Sequence, residues 1–226
     1  MQQDIVLECL HHGVRNYVDS VSGTWQDSLF VIRVAYALVG RGEVSFAVQE
    51  TYGFDGSGRI RLTSDIQPSD KAPEVARVGY DWELEDRYRY FEWYGKGPWE
   101  SYSDKQDGAR YGLWKGRVEQ QWVNYPYPQE NGNKYAVRWA SLHDQAGQGL
   151  QVRGAQPLEV SVKEYRNMDI AEARHTDRLQ PCGRVIFSVN HRMAPVGNES
   201  CGPKPLDKYV VHARPWRFEI EFVLHP

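Results

Sequence analysis

The sequence is short of most of the devices from which catalytic and targeting signals are built. Its three cysteines, Cys9, Cys182 and Cys201, stand far apart and form no CxxC pair. That excludes a dense disulfide framework, argues against a cysteine-built zinc site, and fits a reducing cytoplasm. The seven histidines are scattered, with no HxH or HExxH pattern, and the adjacent pair His11-His12 would point to opposite faces of a strand. No metal site is expected. There is no GxSxG elbow for a serine nucleophile. The glycines of Gly53-Phe54-Asp55-Gly56-Ser57-Gly58 lead into a strand rather than a helix, which makes a turn and not a phosphate cradle.

Long apolar runs are missing too. The best, Leu29 to Val39, is interrupted by Arg33 and falls short of the roughly 20 residues a bilayer requires, so no membrane partner is expected. The start, Met1-Gln2-Gln3-Asp4, has neither the basic residues nor the small-residue cleavage site of a secretory leader. A net charge of -3 offers no basic footprint for nucleic acid.

What is abundant is aromatic and alternating. Eight Trp and 14 Tyr dominate the 13% aromatic content, and such residues favour strands and packed cores. Period-two alternation recurs at Val44, Phe46 and Val48, and again at Ile60, Leu62 and Ile66. The turn Asp55 to Gly58 between them predicts an antiparallel hairpin. Further strands are expected through Val78, Tyr80, Trp82 and Leu84, through Leu158, Val160 and Val162, through Val185, Phe187 and Val189, and through Phe218, Ile220 and Phe222. Phe91 to Tyr94 reads as another, ended by a Gly95 to Pro98 turn. A short helix is expected from an Asn167 cap through Ile170 towards Leu179, stopped by Pro181. Long loops are expected at Pro68 to Pro73, Asn124 to Asn133, Gln145 to Gln156 and Ala194 to Asp207. The fold class that follows is all-β, an antiparallel sandwich with one short helix.

The carboxylate pairs Glu83/Glu85 and Glu219/Glu221 have the look of dyads, but alternating charge on a half-exposed strand accounts for them. Three loop clusters are richer in chemistry. They are Gly95 to Asp104; Tyr125 to Gly132 with Arg138-Trp139; and Asn190 to Met193, continuing through Gly197 to Pro203. Each mixes Gly or Pro with amides, carboxylates and aromatics, a mixture that either ties loops to a sheet or binds a polyhydroxyl ligand.

These clusters resemble the C-terminal domain of glycoside hydrolase family 2 β-galactosidases. Gly95 to Asp104 is similar to that family's Gly-x-Gly-Pro-x-Glu-x-Tyr-x-Asp stretch, and Pro128 to Gly132 to its Pro-Gln-Glu-Asn-Gly stretch. Tyr165, Asp169 and His175 resemble its Tyr, Asp and His segment, and the Asp55 turn is similar as well. The resemblance implies a galactose-mutarotase-like super-sandwich over residues 1–226, a single domain lacking its first strands. It implies a small subunit or C-terminal part of a retaining β-galactosidase whose two catalytic carboxylates sit on a TIM barrel, so no catalytic residue is expected in this chain. The implied partners are a β-galactoside such as lactose, the barrel-containing remainder of the enzyme, and further copies in a homo-oligomer. No cofactor is expected in this chain, although the family's intact enzymes use magnesium and sodium ions.

The same resemblance implies that one loop lines the substrate-site wall, through Asn198, Glu199 and Cys201. Cys201 occupies the place of a sugar-stacking Trp, and Ala194-Pro195-Val196 departs from the usual glycine-rich lead-in. Two other readings compete: an independent sugar-binding or aldose-epimerase-like domain, drawing on His143, His175, His191 and Glu130, and a module serving oligomer assembly.

Overall fold

The computed structural model describes residues 2–7, 15–40, 43–196 and 203–225. Within them the chain forms β1 (Gln2–Leu7), β2 (Arg15–Gln26), β3 (Leu29–Val39), β4 (Ser45–Phe54), β5 (Arg59–Pro68) and β6 (Arg77–Glu85). There follow β7 (Tyr90–Gly97), β8 (Arg110–Arg117), β9 (Lys134–His143), β10 (Gly149–Lys163), a helix α1 (Asn167–Glu172), β11 (Arg184–Met193) and β12 (Trp216–His225). Every strand pairing among the described residues is antiparallel, so the all-β expectation with one short helix holds. No described helix is long and apolar enough to cross a membrane.

The main path through the sheet runs β1-β6-β11-β10-β12-β5-β4-β3-β2. Strand β10 is the corner piece. Its first part pairs with β12 and its last part with β11, while its other edge carries β9. The β9 register slips between Arg153 and Leu158, a stretch holding Pro157, which has no N–H to give to a ladder. From β9 the sheet continues to β7 and β8 and folds over the main path, so Phe91 of β7 meets Phe187 of β11 edge-on at 6.4 Å. The result is two layers with an aromatic filling. Trp82 meets Phe222 at 4.8 Å, Phe91 stacks with Trp93, and Val137, Leu142, Val152 and Val160 close the gaps. A second apolar cluster, built on Tyr36, Leu38, Phe46, Val48, Ile66 and Trp216, lies towards β3 and β4.

The predicted hairpin is present, with Phe54 opposite Ile60. Asp55 Oδ1 accepts the Ser57 N–H at 2.8 Å and the Arg59 N–H at 3.3 Å, and Gly58 takes the positive φ of 79° that the turn requires. Three expectations need correction. The segment Gln145 to Gln156 is not a long loop, because β10 begins at Gly149; its amide-rich composition conceals Leu150 and Val152, which β9 and β12 clamp from both edges. The Gly95 to Pro98 stretch is not simply a turn, because β7 runs through Gly97. A Cβ at Gly97 would lie 2.7 Å from the Trp114 ring, so close packing rather than reversal of the chain demands glycine there. Asn167 does not cap the helix either. Arg166 is the N-cap, and the Asn167 amide instead donates to Asp81. The helix also stops sooner than expected, at Glu172, and a separate 3-10 turn spans Thr176–Arg178.

Candidate functional site

The three loop clusters converge, and carboxylates do most of the joining. Glu100, in the first cluster, accepts the Gly132 N–H at 3.0 Å, the Tyr125 hydroxyl at 2.6 Å and the Lys105 ammonium at 2.6 Å. One side chain thereby holds both ends of the second cluster. Burial alone would raise its pKa, but the Gly132, Lys105 and Tyr125 hydrogen bonds outweigh that and hold the carboxyl below its usual range. Ser101 adds to the clamp: its N–H donates to the Asn133 carbonyl at 2.8 Å, and its hydroxyl accepts the Tyr135 N–H at 3.0 Å. In the same region Glu130 accepts from the buried Lys163 ammonium at 2.7 Å.

The third cluster is tied in through Glu159 on β10. Glu159 accepts the Asn133 amide at 2.9 Å on one oxygen and the Met193 N–H at 3.1 Å on the other. It is buried, and loss of solvent pushes its pKa up to about 7. Sequence reasoning missed this residue. Leu158, Val160 and Val162 define the core face, which assigns Glu159, Ser161 and Lys163 to solvent, yet β10 is buried on both faces there. The only signal available was that acid, hydroxyl and base alternate on one short stretch, a pattern equally at home on a wet surface. Nearby, Lys134 is buried with its ammonium 5.1 Å from the centre of the Trp93 ring. Desolvation brings its pKa down to about 8.

Glu159 lies at the wall of a cavity of about 590 Å³, which Tyr135, Arg192, Met193, Arg214 and Trp216 also line. The cavity is therefore bounded in part by Arg192 and Met193 of the third cluster. Asn198, Glu199 and Cys201, the expected substrate-wall residues, lie outside the described residues. Just before them, the chain is pinned by the Ala194 N–H donating to the Ala76 carbonyl at 2.7 Å.

Residue types that could act as acids or bases are spread apart, and most are already engaged. His143 ends β9, stacked on Tyr90 at 5.4 Å. His175 precedes the 3-10 turn at Thr176–Arg178. His191, on β11, packs against Phe218; burial, then the charges of Arg192 and Arg214, bring its pKa down to about 4. The strand-face carboxylates each meet an arginine. Glu83 takes a bidentate bond from Arg166 at 2.6 and 3.0 Å, which keeps its pKa low. Glu85 pairs with Arg87, Glu219 with Arg217 and Glu221 with Arg61. Tyr165 packs edge-on against Trp122, and Asp169 accepts the Arg166 N–H at the start of α1, so Tyr165 ties the entry to the helix to a neighbouring loop while Asp169 closes its first turn. Among the described residues, no three His, Cys, Asp or Glu side chains gather to hold a metal ion.

Comparison with known proteins gives a consistent result. The family described as β-galactosidase small chain matches residues 9–224. The β-galactosidase of Kluyveromyces lactis is 34% identical over 163 residues, covering 72% of this chain and 15% of that protein. That of Priestia megaterium is 30% identical, covering 72% and 16%, and that of Lactobacillus delbrueckii subsp. bulgaricus 31%, covering 78% and 17%. The chain thus spans less than a fifth of the length of these relatives. Among solved structures, a galactose mutarotase related enzyme from Lactobacillus acidophilus aligns with 91% of this chain and 71% of its own, at TM-score 0.46 and 8% identity. An aldose epimerase homologue from C. elegans aligns with 91% and 68%, at TM-score 0.48 and 6% identity.

Proposed function

The chain belongs to the β-galactosidase small-chain family, and from that premise we propose that it is the structural, substrate-lining part of an enzyme that hydrolyses terminal β-galactosides. The nucleophile and the acid/base carboxylate come from the barrel-bearing remainder. A retaining glycosidase needs two carboxyl groups about 5–5.5 Å apart, one ionised and one protonated. The observation that carries this reading is the use to which two motif carboxylates, Glu100 and Glu130, and the buried Glu159 are put. Glu100 receives three protein donors, Glu130 a buried lysine, and Glu159 an amide and a backbone N–H. Carboxylates engaged in this way hold loops in place.

What the chain supplies in this reading is shape. The clamp centred on Glu100 and Glu159 reaches the Met193 N–H at the end of β11, just before the loop that carries Asn198, Glu199 and Cys201. That loop lines the entrance to the galactoside site, and a cysteine there leaves room where a stacking ring would stand. Replacing Cys201→Trp in the assembled enzyme should shift KM for lactose with little change in kcat for an activated aryl galactoside. The magnesium and sodium ions of the intact enzyme are held outside this chain, and the working unit is an oligomer in the cytoplasm.

The test is complementation. This chain and the barrel-bearing portion are assayed separately and then together with a chromogenic β-galactoside. Turnover only by the pair supports the reading; robust turnover by this chain alone overturns it. A second reading, an aldose-epimerase-like site, has one observation in its favour: a buried carboxyl with its pKa near 7 at a cavity wall. Following the optical rotation of α-galactose separates the two, because only an epimerase speeds its decay.

A further inference from the structure

Strand β2 is exposed along all twelve of its residues, although one of its edges is paired with β3 at every residue but Asp19. Directly opposed residues of an antiparallel pair point to the same face. Val18 lies opposite Tyr36, Val21 opposite Val34 and Trp25 opposite Phe30. Tyr36 belongs to the second apolar cluster, and Val34 packs against it. The apolar face of the sheet therefore continues one strand past the residues that cover it. Val18, Val21 and Trp25 remain 61%, 65% and 70% exposed, and the Trp25 ring leans on Phe30 at 5.2 Å.

The outer edge of β2 is equally bare. No described strand pairs with it. A strand that must face water is ordinarily shortened or protected by Lys, Pro or inward charge, because an open row of N–H and C=O groups recruits other strands. β2 is long, contains no proline, and from Ser20 to Trp25 carries no charged residue. Its charges, Arg15 and Asp19, lie in its first part. An apolar face and an unguarded edge on the same strand describe a place for another strand, one whose own side chains cover Val18, Val21 and Trp25.

We propose that β2 is the docking edge for the complementary portion of the β-galactosidase, which adds an extended, largely uncharged segment beside it and lays apolar side chains over this face. The occupant follows from the amount of protein that lies outside this chain: the K. lactis and P. megaterium relatives keep more than four-fifths of their length beyond the matched segment, which is 15% and 16% of each. An uncharged edge is matched by an uncharged strand. The inference rests on the assembly reading above and adds to it the contact surface.

The experiment titrates the barrel-bearing portion from the same genome with this chain, and with Val21→Lys and Trp25→Lys variants, reading binding and recovered β-galactoside hydrolysis. Both positions are exposed, so the variants should keep the parent's circular dichroism. A desolvated lysine at the centre of such a contact should weaken association at least about tenfold. Backbone amide exchange supplies an independent readout, with slowing across residues 15–26 on assembly. Failure of the unaltered chain to bind overturns the assembly reading itself. Binding that survives both lysines, with β2 exchange unchanged, overturns only the docking edge. A dimer of this chain alone that Val21→Lys dissociates assigns the edge to a second copy, and overturns the proposal.

Discussion

Trp93 and Trp25 sit on strands of one continuous sheet, yet they live in different environments. Trp93 on β7 is 1% exposed, stacked on Phe91 with its indole N–H donating to the Lys96 carbonyl at 3.0 Å. Trp25 on β2 is 70% exposed, with one ring neighbour among the described residues. The difference does not come from residue type or from strand pairing, since both strands are hydrogen-bonded. It comes from the second layer, which covers β10, β11 and β12 and ends before β2. A strand in this protein is stabilised by what lies over it, and the uncovered part is where we propose that the rest of the enzyme docks.

The sharpest way to break the comparison is to truncate both indoles. Trp93→Ala should cost about 3–5 kcal/mol, and Trp25→Ala less than about 1 kcal/mol, each measured by urea unfolding of the free chain. Equal losses would mean that the second layer is not what separates the regions. Glycines give the next contrast. A Cβ at Gly79 would lie 2.6 Å from both the Asn190 Cα and the Val189 carbonyl, between paired strands that have no room to part, whereas at Gly23 it would meet only the tip of the Phe30 ring at 3.0 Å. Gly79→Ala should therefore lower the urea midpoint by the equivalent of about 1–3 kcal/mol, and Gly23→Ala should leave it nearly unchanged.

Smaller effects sharpen the picture at the clamp. Glu100→Ala strands the Tyr125 hydroxyl and the Gly132 N–H, at a cost of about 1–3 kcal/mol near neutral pH. Because the folded state lowers the pKa of Glu100, its contribution is present above the unfolded pKa and is lost as pH falls through the folded one. The penalty of the alanine variant should shrink in acid accordingly. Glu159 behaves oppositely. Its folded pKa of about 7 exceeds that of an unfolded glutamate, so the folded state binds the extra proton and stability falls as pH rises from about 4.5 towards 7. Glu159→Gln should remove that decline, and a midpoint-against-pH curve parallel to the parent's would refute the assignment. Least of all, Val21→Lys should change the stability of the free chain by no more than about 0.5 kcal/mol, while its effect on assembly is large.

Much of this architecture can be read from the residue pattern. The hairpin of β4 and β5, and strands β6, β11 and β12, follow from recurrent alternation of large apolar and polar residues. The presence of a helix follows from the Met168 to Ala173 run ahead of Pro181, although its cap and its end do not. The Pro-Gln-Glu-Asn-Gly stretch points to the family together with the three other matched segments in their order. β2 does not yield to the same method, for a physical reason. Its register shifts between Val18 and Ser20, so Val18 and Val21 share a face although they stand three residues apart, and the period of two disappears. Glu159 is hidden for another reason: alternation reveals one buried face, and nothing in it reveals that the other face is buried as well. At the site, the matched motifs locate the loop clusters, but which atoms clamp which depends on contacts between residues as distant as Glu100 and Gly132.

The central claim, that this chain shapes a galactoside site without supplying its acids, meets its most direct test at Glu159, whose pKa makes it the most plausible acid here. In the assembled enzyme, Glu159→Gln should leave kcat for an aryl β-galactoside within a few-fold of the parent. A loss of a thousandfold or more, in a variant that still assembles, would place a catalytic carboxyl in this chain and contradict the account.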